Sequence, residues 1–138
     1  MALCDSLHTG LNKFRLDGSY SDVTIRVEGK MFQCHRVVLA SACEYFNCLF
    51  GGKFKEGCSE TNEITLHDID AISFDIILEF IYLSRKPCCN EDNIHELLRS
   101  SDFLSLHTVK NICVDYILEK ASFFSPATMF ELFHLACG

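Results

Sequence analysis

Residues 23–27 alternate in polarity: Val23, Ile25 and Val27 are apolar, while Thr24 and Arg26 between them and Glu28 after them are polar. That period of two is the mark of a half-buried strand. Met31-Phe32-Gln33-Cys34 reads as the returning strand, with Glu28-Gly29 as the tight connection, so a hairpin is predicted. The chain then passes without a linker into helical spacing. Val38, Leu39 and Ala42 share one face over residues 35–42, and Tyr45, Phe46, Leu49 and Phe50 form a broad apolar face over 44–50. Gly51-Gly52 stops that second helix, because glycine tolerates the left-handed cap conformation.

Ahead of the hairpin, Leu3, Leu7, Leu11 and Phe14 fall on one helical edge, with Gly10 weakening the pattern and Asp17-Gly18-Ser19 as turn chemistry. This stripe needs a cover, either its own domain or a second copy. Beyond the double glycine, residues 63–66 read as a short strand. A helix follows, with acidic Asp68 and Asp70 at its start and Ile72, Ile76, Ile77, Phe80 and Ile81 as its apolar positions. Arg85-Lys86 and Pro87 end it. Asn90 is expected to cap a helix over 91–103 with Ile94, Leu97 and Leu98 inward. Residues 106–120 form a further amphipathic helix on Val109, Ile112, Cys113, Tyr116 and Ile117. Ser125-Pro126 open a last helix to residue 137, the serine as cap and the proline in the first turn. The order ββα(α)βααα predicts an α+β fold, a small sheet covered by helices. The last helix carries Met129, Phe130, Phe133 and Leu135 with no partner after it, which suggests a segment cut from a longer protein.

Composition agrees with one globular domain: 138 residues, 49% hydrophobic and 22% charged. The apolar runs are too short to span a bilayer, and no basic region with an apolar core marks a signal peptide, so a soluble intracellular protein is expected. Nine cysteines, an odd number at irregular spacing, fit a reducing compartment better than a disulfide scaffold. Cys34, Cys43, Cys48 and Cys113 lie in apolar periodic segments, where cysteine acts as a small hydrophobe. The net charge of -7 is uneven. Residues 1–36 hold five basic and four acidic groups, leaving seven basic and fifteen acidic for the rest, a field that repels nucleic acid.

No catalytic constellation emerges. There is no C-x-x-C pair and no second half-site near His134 and Cys137, so no structural zinc is expected. Cys34 and His35 are adjacent on a strand and point to opposite faces, and Gly51-Gly52 lacks the Gly-Lys-Ser/Thr of a phosphate loop. Asp22, opening the first strand, and Arg36, opening the helix after the second, are either a charged pair or two separate surface charges. Phe54 stands among Lys53, Lys55 and Glu56 just after the double glycine, either as a contact anchor or as a lid folded on the core. Cys58 has Lys53 and Lys55 nearby, a setting that can make a loop thiol reactive.

Taken together, "SDVTIRVEGKMFQCHRVVLASACEYFNCLF" resembles the opening of a BTB/POZ domain, in the branch found in BTB-BACK-kelch proteins. The matching features are Asp22, the hairpin, His35-Arg36-x-x-Leu39-Ala40, Tyr45-Phe46 and Leu49-Phe50. "LEFIY" ending at Tyr82 and "NEDNIHELLRSSDFLSL" are similar to the family's later helices, and "SPATMFELFHLA" to the start of a BACK region. The resemblance implies a BTB/POZ domain over residues 1–121, a BACK beginning over 122–138, no enzyme activity, no cofactor and no metal. It implies a homodimer whose N-terminal helix crosses the two-fold, with Leu3, Leu7, Leu11 and Phe14 as interface and Asp22 and Arg36 as a charged pair near it.

Many members of this branch bind cullin-3 as substrate adaptors of its RING ubiquitin ligase. Their hydrophobic-x-acidic motif is matched by Phe54-Lys55-Glu56, four residues after Phe50, and Tyr82 stands where the family often presents a contact tyrosine. Substrate would be recruited by domains beyond residue 138, in the cytoplasm and also the nucleus. The family usually has Thr-Gly after that tyrosine; here it is Leu83-Ser84, and the following turn is longer. A second reading is a transcriptional regulator dimer that recruits co-repressors. A third makes Cys58 a thiol sensor within the adaptor class.

Overall fold

Val23, Ile25 and Val27 point inward from β1 (Val23–Val27), and Phe32 and Cys34 do so from β2 (Lys30–Cys34). The two strands pair antiparallel from Val23↔Cys34 to Val27↔Lys30, so only Glu28 and Gly29 remain in the loop. Both have positive φ, 51° and 80°, the backbone of a turn that matches the right-handed strand twist. β3 (Glu63–Leu66) joins the other edge of β1 in parallel, giving the order β2-β1-β3.

The computed structural model describes residues 3–51, 62–120, 122 and 124–137. Besides the sheet they form α1 (Leu3–Asp17), α2 (Arg36–Ala42), α3 (Glu44–Phe50), α4 (Ala71–Leu83), α5 (Ile94–Phe103), α6 (His107–Glu119) and α7 (Pro126–Cys137). The α+β class read from the sequence is the observed one. No described helix is long and apolar enough to cross a membrane.

α4 is the central helix and packs on α1, α2 and α5. Its Phe74, Ile77, Leu78, Ile81 and Tyr82 are buried, with Phe74 edge-on to Phe32 of the sheet at 5.1 Å. The phase differs from the expected one. Ile72 is 70% exposed, while Ser73 and Phe74 face inward. A helix apolar on nearly every side carries little amphipathic signal, and its neighbours choose the face. Ile94, Leu97 and Leu98 on α5 are buried as expected, as are Val109, Cys113 and Ile117 on α6. Cys34 and Cys43 are also core residues, but Cys48 is exposed on α3, with its thiol directed at Glu44 Oε1.

Two helices receive their N-terminal caps from the hairpin rather than from their own flanks. Asp22 Oδ1 accepts the Arg36 N–H at 2.7 Å at the start of α2, and Glu28 accepts the Ala71 N–H at 2.6 Å at the start of α4. Asp70, the local candidate for α4, makes no side-chain cap. Each such bond satisfies an orphan donor and sets a carboxylate on the positive end of the helix. α5 begins later than expected. Asn90 Oδ1 accepts the N–H groups of Asp92 and Asn93, which holds residues 91–93 in a turn, and regular helix starts at Ile94. Ser125 Oγ accepts the Thr128 N–H, the expected cap of α7. α7 rests on α5 and α6, with Met129 against the core, while Phe130 stays exposed.

Candidate functional site

Tyr82, in the last turn of α4, has no exposed surface. Its hydroxyl accepts the His35 backbone N–H at 3.0 Å and donates to His35 Nδ1 at 2.9 Å, while His35 Nε2–H donates to the Ser19 carbonyl at 2.8 Å. The Tyr82 carbonyl accepts from His8 Nδ1 at 2.9 Å, and the Arg15 guanidinium lies 5.4 Å from the ring centroid. Burial pushes the phenol well above its ordinary value, so it stays a neutral donor. This junction ties α1, the β2–α2 corner and α4 together. The expectation that Tyr82 is presented to a partner does not fit this burial: its role here is internal.

Cys34 is likewise internal. Burial pushes its thiol up to about 12, and the His35 ring is spent on Tyr82 and Ser19, so no nucleophile is built there.

Around the junction lies an apolar face. Leu3 and Leu7 on α1 are 76% and 56% exposed, and Val37 on α2 is 72% exposed. Between the two helices runs a groove of about 390 Å³ lined by His8, Leu11, Val37, Val38, Ala42 and Ile81. The predicted stripe therefore divides. Leu11 packs partly on the core and Phe14 sits edge-on to Tyr20 at 4.9 Å, while Leu3 and Leu7 are left open. Asp22 and Arg36 are brought together, through the Arg36 backbone N–H, with the Arg36 guanidinium 5.5 Å from the Phe50 ring centroid. Phe54, Lys55, Glu56 and Cys58 lie outside the described residues. Val37, His8 and Arg15 were not singled out by sequence reasoning. Val37 sits beside the inward residues of a seven-residue helix, and only the packing shows which side is open.

No cluster of His, Cys, Asp and Glu suited to a metal occurs among the described residues. What the site offers is apolar area beside buried, satisfied hydrogen bonds, which suits docking of another polypeptide.

The model of the BTB/POZ domain matches residues 11–121. This chain belongs to the BTB/POZ family. Among the relatives of this BTB/POZ chain, Kelch-like protein 21 of Danio rerio is 32% identical over 115 residues, covering 83% of this chain and 18% of that protein. Kelch repeat and BTB domain-containing protein 7 of Homo sapiens is 33% identical over 131 residues, covering 86% and 19%. Kelch-like protein 22 of Xenopus tropicalis is 31% identical and covers 95% of this chain and 20% of its own length. The chain thus spans about one-fifth of the curated relatives it matches. Among solved structures, the BTB domain of zebrafish PATZ1 superposes with a TM-score of 0.74 at 31% identity, covering 83% of this chain and 91% of that one. A BTB domain with such relatives is a protein-interaction module of the adaptor kind.

Ser84 gives the family's usual Thr-Gly a physical meaning. It occupies the glycine position after α4 with φ 54° and ψ 27°, the left-handed conformation, while its N–H bonds the Phe80 carbonyl. A side chain there costs about 1 kcal/mol relative to glycine. Ser84→Gly is expected to raise stability by about that amount in urea titration; a loss of stability would show that the Ser84 Oγ contact to His8 at 3.5 Å outweighs the strain.

Proposed function

We propose that this chain is the self-associating adaptor part of a cullin-3 RING ubiquitin ligase. The reading is carried by Phe54-Lys55-Glu56, a hydrophobic-x-acidic motif four residues past the end of α3 in a chain whose BTB relatives are kelch proteins. Phe54 fills an apolar hollow on the cullin and Glu56 holds the loop or its partner. Residues 122–138 begin a BACK region that lengthens the surface on which the cullin docks, and substrate is recruited by domains outside this chain, in the cytoplasm and also the nucleus. Leu3, Leu7, Leu11 and Phe14 meet a second copy, with Asp22 and Arg36 near that interface. The mechanism is proximity and avidity rather than bond chemistry.

Phe54→Ala combined with Glu56→Ala is expected to abolish pull-down of cullin-3 while the dimer persists on sizing; undiminished pull-down of the double variant would remove this reading. A second reading, a transcriptional regulator dimer that recruits co-repressors, is favoured by the likeness to PATZ1, a neighbour without a kelch name. On that reading the unaltered chain captures no cullin-3 at all.

A further inference from the structure

Past the α1–α2 groove, toward the C-terminal end of α1, a cleft of about 250 Å³ is lined by Arg15, Leu16, Lys30, Met31, Gln33 and Asp75. β2 is an outer strand of the sheet, and consecutive residues of it line the cleft, which therefore runs along the strand's free edge. In a hairpin closed by Val27↔Lys30 the ladder bonds of Lys30, Phe32 and Cys34 face β1, so Met31 and Gln33 turn their backbone groups outward to that edge. Arg15 is only 8% exposed, yet no carboxylate pairs with it among the described residues. Its Nε donates to Asn12 Oδ1 at 2.9 Å and its guanidinium faces the Tyr82 ring, while its two η nitrogens meet no acceptor there. A guanidinium buried against one ring and one amide oxygen is an incomplete charge site, because burying a cation is costly without a counter-charge.

We propose that this cleft binds an extended segment of a partner protein in which one aspartate or glutamate is flanked by apolar side chains. The carboxylate meets the two Arg15 η nitrogens end-on, since Nε is already engaged, and accepts two parallel N–H···O bonds. Lys30, exposed and with its Nζ 5.0 Å from the Phe32 ring centroid, adds a second positive charge at the mouth. The apolar flanks of the segment cover Leu16 and Met31, each at least half exposed. Its backbone lies beside Met31 and Gln33 as an added strand.

The walls narrow the occupant. The volume lies below the roughly 300–1,000 Å³ of small-molecule pockets and fits one or two side chains of a peptide. Asp75 lines the same cleft and forms no ion pair with Arg15 or Lys30 among the described residues. Its charge opposes a doubly charged phosphate more than a single carboxylate. A nucleic acid is disfavoured further by the net charge of -7. The exposed Leu16 and Met31 and the open strand edge have no use for a free anion, whereas a peptide uses all of them.

The probe is a phage-displayed library of random heptapeptides selected on the chain, with enriched sequences remade as fluorescent peptides and titrated by anisotropy. Enriched peptides are expected to carry one aspartate or glutamate between apolar residues, and replacing that acid by its amide is expected to weaken binding about tenfold. Binding shifts the amide resonances of Met31 and Gln33, falls severalfold in Lys30→Glu and is lost in Arg15→Gln. Because Arg15 also packs on Tyr82, the exposed Lys30→Glu carries the test if Arg15→Gln does not fold. The proposal is overturned if no sequence is enriched, if the acid and its amide bind alike, or if Lys30→Glu binds as the wild type does. Shifts confined to the α1–α2 face overturn it as well. Inorganic phosphate alone, if it shifts the same resonances as strongly as the peptide, marks a small-anion site and also removes the proposal.

Discussion

Tyr82→Phe is expected to lower the unfolding free energy by about 2 kcal/mol, and Tyr82→Ala to leave the chain unfolded. The phenylalanine keeps the buried ring and its contact with Arg15 but deletes one hydroxyl. That hydroxyl serves both the His35 N–H and His35 Nδ1, so its loss strands a buried donor and a buried acceptor at the β2–α2 corner. A stranded buried polar group costs about 1–3 kcal/mol. The alanine adds the cavity of a large aromatic in the last turn of the central helix, about 3–5 kcal/mol more. The sum rivals the whole stability of a small domain, about 5–15 kcal/mol. Urea unfolding followed by near-ultraviolet circular dichroism checks both. A phenylalanine variant as stable as the wild type would mean that His35 finds another partner, and the junction would lose its place as the organising contact.

The second large effect concerns self-association. Leu7→Asp with Val37→Asp is expected to convert the proposed dimer into a folded monomer, read by light scattering coupled to sizing and by an unchanged circular dichroism spectrum. Burying each of these side chains in a dimer contributes about 2 kcal/mol. An aspartate in its place must be desolvated without a partner. In a symmetric interface each substitution occurs twice, so association weakens by well over a hundredfold. Both positions are exposed in the isolated chain, so folding itself is little affected. A dimer that survives the pair would move the interface away from the α1–α2 face.

The elements were largely legible because their signals are local. The alternation Val23-Ile25-Val27 and the Glu28-Gly29 turn each report on neighbouring residues, and strands and turn appear where they are expected. The inward residues of α5 and α6 were readable for the same reason, since polar residues occupy the opposite sides of those helices. α4 was readable only as a helix. With isoleucine, leucine or phenylalanine on almost every side, its burial of Ser73 and exposure of Ile72 were settled by α1, α2 and α5 closing around it.

The candidate site shows the same division more sharply. Asp22 and Arg36 drew notice as charges at the edge of apolar sequence, and they do meet, but the bond runs to a backbone N–H and works as a helix cap. Tyr82 drew notice through a family motif, and the fold turns it inward onto His35.

By itself, then, the sequence determined the strands, the turn, most helix boundaries, the α+β class and, through its quoted motifs, the BTB/POZ family. Tertiary structure alone decided which side of α4 faces inward, which leucines of α1 stay open, and which polar groups find each other. The reason is physical. Periodicity and turn chemistry act over a few residues, whereas burial and long-range hydrogen bonds exist only once distant segments are brought into contact.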